Sequence, residues 1–270
     1  MRQPRGDHRG ILDPARLRRE LRFRRHLPDP ALRPWVEHYW LVDWALTTPF
    51  TQQVVPHPAV NVVFRRDAAG PETAEVAGVG RTLFTVTLAD AGAVSGIQFR
   101  PGGFRPFWRR PVSGLTDRHV PLDTDPAAAR AARSVGAAPR CDGTDDERCR
   151  ALDAFLLAWA PRPDPATAEA VALAEAIRTD RSVLRVDDLA RRHDLSVRRL
   201  QRLFLDHVGV GPKWVIRRYR LLEAIEQAAA GMPDWATLAA DLGYSDQAHL
   251  ARDFAAVTGR TPTGYARSLR

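Results

Sequence analysis

The last hundred residues contain the same pattern twice, fifty positions apart, and no other feature constrains the fold as strongly. Each copy reads as a helix of small residues, a short turn, a Ser or Asp suited to cap a helix, and an amphipathic helix that ends near a Gly. This order is typical of a helix-turn-helix unit, whose second helix can lie in the major groove of DNA. A helical bundle with a fortuitous repeat is the weaker alternative, because two copies by chance are much rarer than one. The matching residues are Leu189-Ala190, Ser196, Leu200, Arg202, Phe204, Gly209 and Pro212 in the first copy, and Ala239-Ala240, Asp246, Leu250, Arg252, Phe254, Gly259 and Pro262 in the second.

The second helix of the first copy has polar side chains on its outward face that are suited to contact bases. At about 100° per residue, Leu200 and Phe204 fall on one side of this helix, and the opposite side is polar. Arg can bind guanine, and Gln can bind adenine, through two hydrogen bonds at once. An outward Arg can instead be solvated or paired with an acid of its own unit, and the sequence leaves this open. The predicted contacts are bases for Arg198 and Gln201, a base or a structural pair for Arg202, and phosphate or water for Arg199.

The second copy has fewer side chains that can form hydrogen bonds to bases. Its outward positions are Ala248, His249 and Arg252. Ala248 can touch a thymine methyl group but cannot form a hydrogen bond to a base. For His249 and Arg252, base contact and a structural role are equally open. The first unit is therefore predicted to contribute more to base recognition than the second unit.

A single long helix is predicted between the two units. Pro212 suits the first position of a helix, residues 213–230 have helical periodicity, and Gly231 and Pro233 end it. Its roughly seventeen residues span about 26 Å at 1.5 Å each. With the thickness of the units added, the two reading helices could reach successive major grooves, about 34 Å apart. One chain would then cover two adjacent half-sites without dimerising, and Arg217 on this helix would contact phosphate.

Residues 166–270 resemble the DNA-binding domain of the AraC/XylS family of bacterial transcription regulators. The resemblance lies in Leu189-Ala190, residues 196–204, Gly211-Pro212, residues 242–254 and 259–262, and Tyr265. It implies sequence-specific binding to double-stranded DNA, with RNA polymerase as a candidate partner. It also places the equivalents of seven residues at or near the bases, and Ala248 stands where the family often has a longer polar side chain. These residues are Arg198, Gln201, Arg202, Gln247, Ala248, His249 and Arg252.

The charge distribution agrees with a DNA partner. The chain carries a formal charge of +8, and residues 191–220 hold nine Lys or Arg against Asp194 and Asp206. Such a concentrated basic segment is expected of phosphate contacts. A second basic segment, residues 1–31, could be an arm that touches DNA, although a charged terminus is more often disordered.

Other features exclude several classes of protein. No apolar run is long enough for a membrane span, and the Arg-rich start does not resemble a signal peptide, so a cytoplasmic protein is expected. The spacing of Cys141 and Cys149 is wrong for a CxxC redox or zinc pair, which favours two reduced thiols over a redox switch. No catalytic triad, phosphate-binding Gly loop or pair of catalytic acids is visible. The sequence therefore predicts neither an enzyme nor a cofactor or metal site.

Residues 32–122 have a different, β-rich character. Short β-branched or aromatic segments alternate with Gly and Pro, which predicts an antiparallel sheet or a barrel. They resemble the β-rich sensor half that precedes the DNA-binding half in many AraC/XylS regulators. The fold class predicted for the whole chain is thus α+β, with a barrel-like sensor followed by an all-α domain. The predicted strands are 38–44, 52–64, 75–79, 83–88 and 94–99.

A linker, residues 123–165, is predicted between the two domains. Residues 123–146 are rich in Ala, Pro, Asp and Gly and are expected to form a loop, whereas 147–160 have a helical stripe of apolar residues. Such a stripe must be buried, either against the β-rich domain or against a second chain. A monomer and a homodimer therefore both remain open.

The β-rich domain is the candidate site for a small, partly apolar effector. Trp40 and Trp44 share one face of a strand, and Gly102 and Gly103 would let the backbone approach a bound group. The alternative is that the tryptophans belong to the core and the Gly pair forms only a tight turn. The closely spaced histidines of a cupin metal site are missing. The residues predicted to border the effector are Trp40, His57, Asn61, Arg100 and Phe104.

Three functions from different classes follow from these observations. The favoured one is a transcription regulator that responds to a small molecule. The second is a small-molecule-binding protein whose helices dock a protein partner, against which the outward Arg198 and Gln201 argue. The third is a relative of DNA-repair proteins with a cysteine methyl acceptor, which would need more clustered cysteines than Cys141 and Cys149.

Overall fold

The chain folds as an α+β protein in which a β-rich part precedes a helical part, as predicted. The computed structural model describes residues 10–134, 139 and 141–269. The described strands are β1 (Arg22–His26), β2 (Val36–Ala45), β3 (Phe50–Val54), β4 (Asn61–Asp67), β5 (Thr73–Ala77), β6 (Phe84–Leu88), β7 (Ala91–Phe99) and β8 (His119–Pro121). The described α-helices are α1 (Pro14–Glu20), α2 (Arg105–Trp108), α3 (Pro126–Ser134), α4 (Asp145–Trp159), α5 (Pro165–Thr179), α6 (Val186–Arg192), α7 (Val197–His207), α8 (Pro212–Ala230), α9 (Trp235–Asp241), α10 (Gln247–Thr258) and α11 (Pro262–Ser268).

The main sheet is open, so the prediction of a barrel-like domain was wrong. Its six strands are antiparallel in the order β1-β2-β7-β4-β5-β8, and β3 pairs with β6 in a separate ribbon. The segment predicted as one strand, 52–64, is divided because Pro56 and Pro58 cannot continue a hydrogen-bonded ladder. The first half, β3, consequently leaves the main sheet instead of helping to close it.

The two faces of the main sheet have different neighbours. On one face, Tyr39 donates a hydrogen bond to Asp153 of α4, with 2.7 Å between the oxygens, and the ring of Phe64 meets that of Phe155 edge to face. On the other face, the rings of Trp40 and Trp44 lie over glycines of β7. A Cβ atom on Gly96 would come within 1.9 Å of the Trp40 ring, so only Gly allows this packing.

Helix α4 is buried against the β-rich part of its own chain. Arg148 is buried, and its guanidinium donates to Ser95 Oγ at 2.9 Å and to the carbonyl oxygen of Val94 at 2.6 Å. The sequence left open whether the apolar stripe packs against the β-rich domain or against a second chain, and the structure shows it packed against the β-rich part of its own chain. The buried stripe consists of Leu152, Phe155, Leu156 and Trp159.

Two segments expected to be irregular have regular structure instead. Within 1–31, residues 1–9 lie outside the described residues, but α1 packs through the buried Leu17 and β1 joins the sheet. Arg24 of β1 is tied to Asp145, with 3.0 Å between Nε and Oδ2. Part of the expected loop 123–146 is helix α3, whose Ala residues favour a helix and pack Ala128 and Ala131 into the core. None of the helices in the described part of the chain has the length and apolarity of a membrane span.

The Arg24–Asp145 pair makes stability depend on pH. Its hydrogen bond from Arg24 lowers the pKa of Asp145 from 3.8 to about 2. A carboxylate whose pKa is lowered by folding stabilises the protein above its ordinary pKa and loses this contribution as pH falls towards the folded value. Asp145→Asn should therefore lower the free energy of unfolding by about 1–2 kcal/mol at pH 7, because solvent screening of this partly exposed pair reduces the value of about 1.4 kcal/mol per pKa unit.

Chemical denaturation at pH 7 and near pH 2 would measure this effect, and the difference from the native chain should nearly vanish at the lower pH. Asp146→Asn is the matched control, because it removes an exposed charge from the same first turn of α4. An equal effect from both variants would contradict the role of the Arg24 pair.

Candidate nucleic-acid interface

The first helix-turn-helix unit consists of α6 and α7. Ser196 caps α7, because its hydroxyl accepts a hydrogen bond from the backbone N–H of Arg199 at 3.2 Å. Asp194 takes the left-handed conformation in the turn, with φ of 52°. Leu189 of α6 and Leu200 and Phe204 of α7 are fully buried. This packing leaves the opposite face of α7 towards solvent.

The exposed face of α7 holds the predicted base readers. Arg198, Gln201 and Arg202 are all exposed. Within the described residues, neither Arg198 nor Arg202 forms an ion pair, so both guanidinium groups are available to an external partner. Arg199 differs, because its guanidinium contacts both carboxylate oxygens of Glu169 on α5 at 3.0 and 2.9 Å.

The second unit, α9 and α10, repeats this construction. Asp246 caps α10 by accepting a hydrogen bond from the N–H of His249 at 2.7 Å. Gln247, Ala248 and Arg252 are exposed. The imidazole of His249 is half-buried, 5.1 Å from the Tyr244 ring and 3.2 Å from Ser245 Oγ. His249 is thus partly engaged within its own unit.

The connecting helix α8 joins the two units as the sequence predicted. Pro212 occupies its first turn, and Gly231 follows its last residue. Arg217, the predicted phosphate contact, is about half exposed, and its guanidinium is paired with Asp253 of α10, with 3.3 Å between Nε and Oδ2. The sequence did not reveal Asp253 or Glu169 as partners, because each lies thirty or more positions from its Arg and on another helix.

Three of the five predicted effector residues lie on one side of the main sheet. Trp40 Nε1 donates to Asn61 Oδ1 at 3.2 Å, and both side chains are half-buried. His38 shares the face of Trp40 by strand alternation. Burial lowers the pKa of His38 to about 3, and the charges of Arg25 and His57 add to this effect. His57 therefore lies near this face as well.

Arg100 and Phe104 are placed elsewhere. Arg100 follows the last residue of β7, and it donates to the carbonyl oxygen of Arg33 at 2.8 Å and pairs with Glu37 at 3.2 Å. Phe104 is 1% exposed and packs on Phe99 and Trp159, on the face of the sheet opposite to Trp40. The structure does not bring these two residues together with the other three.

The Gly pair beside Phe104 faces protein. Gly102 has φ of 92°, and a Cβ there would lie 3.0 Å from the Cβ of Ala170 on α5. A Cβ on Gly103 would lie 2.3 Å from the carbonyl oxygen of Trp35. The expectation that these glycines admit a bound group was wrong, because the space beside them is filled by α5 and by the Trp35 backbone.

Comparison with known proteins identifies the helical part. Residues 189–268 match the family described as "Helix-turn-helix domain", and residues 24–121 match a "Domain of unknown function (DUF6597)". With two capped units and exposed cationic reading helices, the fold and the match define a DNA-binding transcription regulator. Residues 189–268 therefore form an AraC-type helix-turn-helix domain.

Solved structures of ToxT from Vibrio cholerae are similar to this chain at low identity. A structure at 1.65 Å resolution is 10% identical, with a TM-score of 0.42, and the match covers 92% of this chain and 98% of that one. A structure of ToxT with a bound unsaturated fatty acid is 11% identical, with a TM-score of 0.38 and coverage of 84% and 94%. No curated protein matches the chain.

Proposed function

We propose that the protein is a sequence-specific transcription regulator in which residues 166–270 bind two adjacent half-sites of duplex DNA. The observation that carries this proposal is the exposed face of α7, with Arg198, Gln201 and Arg202, which is repeated in outline on α10. Arg and Gln at successive turns of a capped helix suit the edges of guanine and adenine. The first unit supplies the stronger base readout, because α10 presents Ala248 and a partly engaged His249.

Phosphate contact is assigned to the cations that flank the reading face. Arg199 and Arg217 are held by Glu169 and Asp253 in the free protein. Exposed ion pairs of this kind contribute about 1 kcal/mol or less, so the guanidinium groups can exchange a carboxylate for a phosphate at small cost. These pairs keep the two cations oriented before DNA binds.

A single chain is proposed to bind as a monomer. The apolar stripe of α4 is buried within its own chain, which removes the sequence-based reason for a dimer. Both reading helices also belong to one polypeptide. RNA polymerase is proposed as a further partner on the family resemblance alone.

Selection from a pool of random duplexes with the full chain tests this function. We expect enrichment of a sequence with two half-sites about one helical turn apart and an affinity that falls steeply with salt. Arg150→Ala, which removes an exposed Arg from α4 of the β-rich part, is the control and should select the same sequence. Failure to enrich any sequence would overturn the proposal.

The β-rich part is proposed to bind a small, partly apolar effector beside Trp40, His57 and Asn61. Trp40 and Asn61 are joined across β7, and their half-buried side chains offer an aromatic surface next to an amide. A few polar groups at an aromatic surface are typical of small-molecule sites. No role at this site is proposed for Phe104.

Metabolite screening of the full chain by thermal shift and tryptophan fluorescence tests this site. A compound that binds the native chain should bind Trp40→Ala and Asn61→Ala at least tenfold more weakly, a loss of about 1.4 kcal/mol. Arg100→Ala should bind it as well as the native chain does. Loss of binding in Arg100→Ala alone would place the site at the end of β7 instead.

A further inference from the structure

Arg218 of α8 is buried in contact with the β-rich part of the chain. It is 4% exposed, and its guanidinium donates to the carbonyl oxygen of Pro56 at 3.2 Å and to that of Arg81 at 2.7 Å. The guanidinium also lies over the ring of Trp214, 4.5 Å from its centroid. Within the described residues it forms no ion pair. Burial lowers the pKa of Arg218 to about 10, which still leaves it charged at neutral pH.

A buried guanidinium without a carboxylate depends on its carbonyl acceptors. The loss of either acceptor would leave a buried charged donor without a partner, which is costly. Movement of the Pro56 or Arg81 backbone would therefore disturb the hydrogen bonds that these carbonyl groups accept from Arg218 of α8. The neighbouring Arg217 extends from the same turn of α8 to Asp253 of the second unit. Two consecutive residues thus join the β-rich part to α8, and α8 to the second reading helix.

The Pro56 carbonyl belongs to a short segment that also borders the proposed effector site. The N–H of Val55 donates to the carbonyl oxygen of Gly10 at 2.7 Å, and the next carbonyl accepts from Arg218. Val54, which precedes this segment, packs against the same apolar cluster as Trp40. Segment 55–57 therefore contacts the connecting helix and directly follows a residue on the effector side of the sheet.

The β-rich part also contacts segments that adjoin the two helix-turn-helix units. Thr116 Oγ donates to the carbonyl oxygen of Gly209, just after α7, at 2.6 Å. Tyr265 of α11 donates from its hydroxyl to the carbonyl oxygen of Leu12 at 2.9 Å. The β-rich part consequently touches the segment after α7, the connecting helix and α11, whose Tyr265 packs on Phe254 of α10. It is positioned to influence how the two reading helices are oriented relative to each other.

We infer that Arg218 is a positioning residue that couples segment 55–57 to the orientation of the two reading helices. The inference rests on the proposed function and adds to it a route for regulation. Coupling between two binding sites is reciprocal in free energy, so DNA bound at the reading helices should in turn alter the stability of segment 55–57. DNA can therefore serve as the probe while the effector is unknown.

Hydrogen exchange of the full chain, with and without the duplex selected by the native protein, tests the coupling. In the native chain we expect DNA to slow exchange at the amides of Val55 and His57 several-fold. In Arg218→Ala this response should disappear, while protection of α7 by DNA persists. Gln227→Ala, which removes an exposed side chain from the same helix α8, should keep the response. An unchanged segment in the native chain, or a full response in Arg218→Ala, would overturn the inference.

A second variant and a DNA-free measurement keep the test decisive. Arg218→Lys keeps the charge but lacks the planar guanidinium whose two nitrogens reach the two carbonyl oxygens. It should therefore show part of the native response to DNA, and it remains informative even if Arg218→Ala does not fold. If the native chain selects no duplex, the proposed function fails, and the coupling is judged without DNA. In that case faster exchange at Val55 and His57 in Arg218→Lys than in Gln227→Ala supports the contact, and equal exchange in both contradicts it.

Discussion

Replacement of Phe104 by Ala is expected to lower the free energy of unfolding by about 3–5 kcal/mol, the range for a large aromatic side chain removed from a core. The ring is 1% exposed and meets the rings of Phe99 and Trp159, whose centroids lie 4.8 and 5.8 Å away. It therefore joins the end of β7 to α4. Chemical denaturation followed by circular dichroism would measure the loss.

Phe84→Ala is the matched control for this stability prediction. Phe84 lies in the β3–β6 ribbon and is 43% exposed, so its removal should cost about 1 kcal/mol or less. Equal losses from the two variants would show that the cluster around Phe104 is not part of the core. A small loss from Phe104→Ala would also reopen its role as an effector contact.

The helical half could be predicted from sequence because its signals are local. Ser196 and Asp246 cap the reading helices, Pro212 opens α8, and Gly259 ends α10, as the repeat indicated. Each of these residues acts on backbone groups within a few positions of itself. The buried faces also follow from helical periodicity, which needs no knowledge of the partner element.

The β-rich half was less predictable because its arrangement depends on distant pairings. The strand segments were found, but whether the sheet closes depends on β3 leaving it after Pro56, a choice set by its partner β6. The basic character of residues 14–26 concealed Leu17 and Leu21, which are buried. Helix α3 was missed because Pro and Gly around it suggested a loop.

In the candidate site, too, the features set by local sequence were predictable and those set by contacts between distant residues were not. Exposure of Arg198 and Gln201 follows from their position on α7. The ion pairs of Arg199 and Arg217 join helices that the sequence does not place side by side. The contact of Gly102 with Ala170 likewise joins the two halves of the chain, and a Gly pair looks the same in sequence whether it faces a ligand or a helix.

Arg198→Ala is expected to weaken binding to the selected duplex by about 1–3 kcal/mol and to relax the preference at one base pair. The exposed guanidinium has no ion pair within the described residues to replace, so its loss should remove a direct contact without disturbing α7. Competition binding with the selected duplex, with single-base variants of it and with random DNA would measure the affinity and the specificity separately.

Arg217→Ala supplies the comparison that separates base contact from phosphate contact. If Arg217 exchanges Asp253 for a phosphate, its loss should weaken binding to all sequences alike and reduce the salt dependence by about one counterion. Arg198→Ala should instead leave random DNA nearly unaffected, because non-specific complexes do not use base contacts. Equal losses on selected and random DNA for Arg198→Ala would assign this residue to phosphate and leave Gln201 and Arg202 as the base readers of α7.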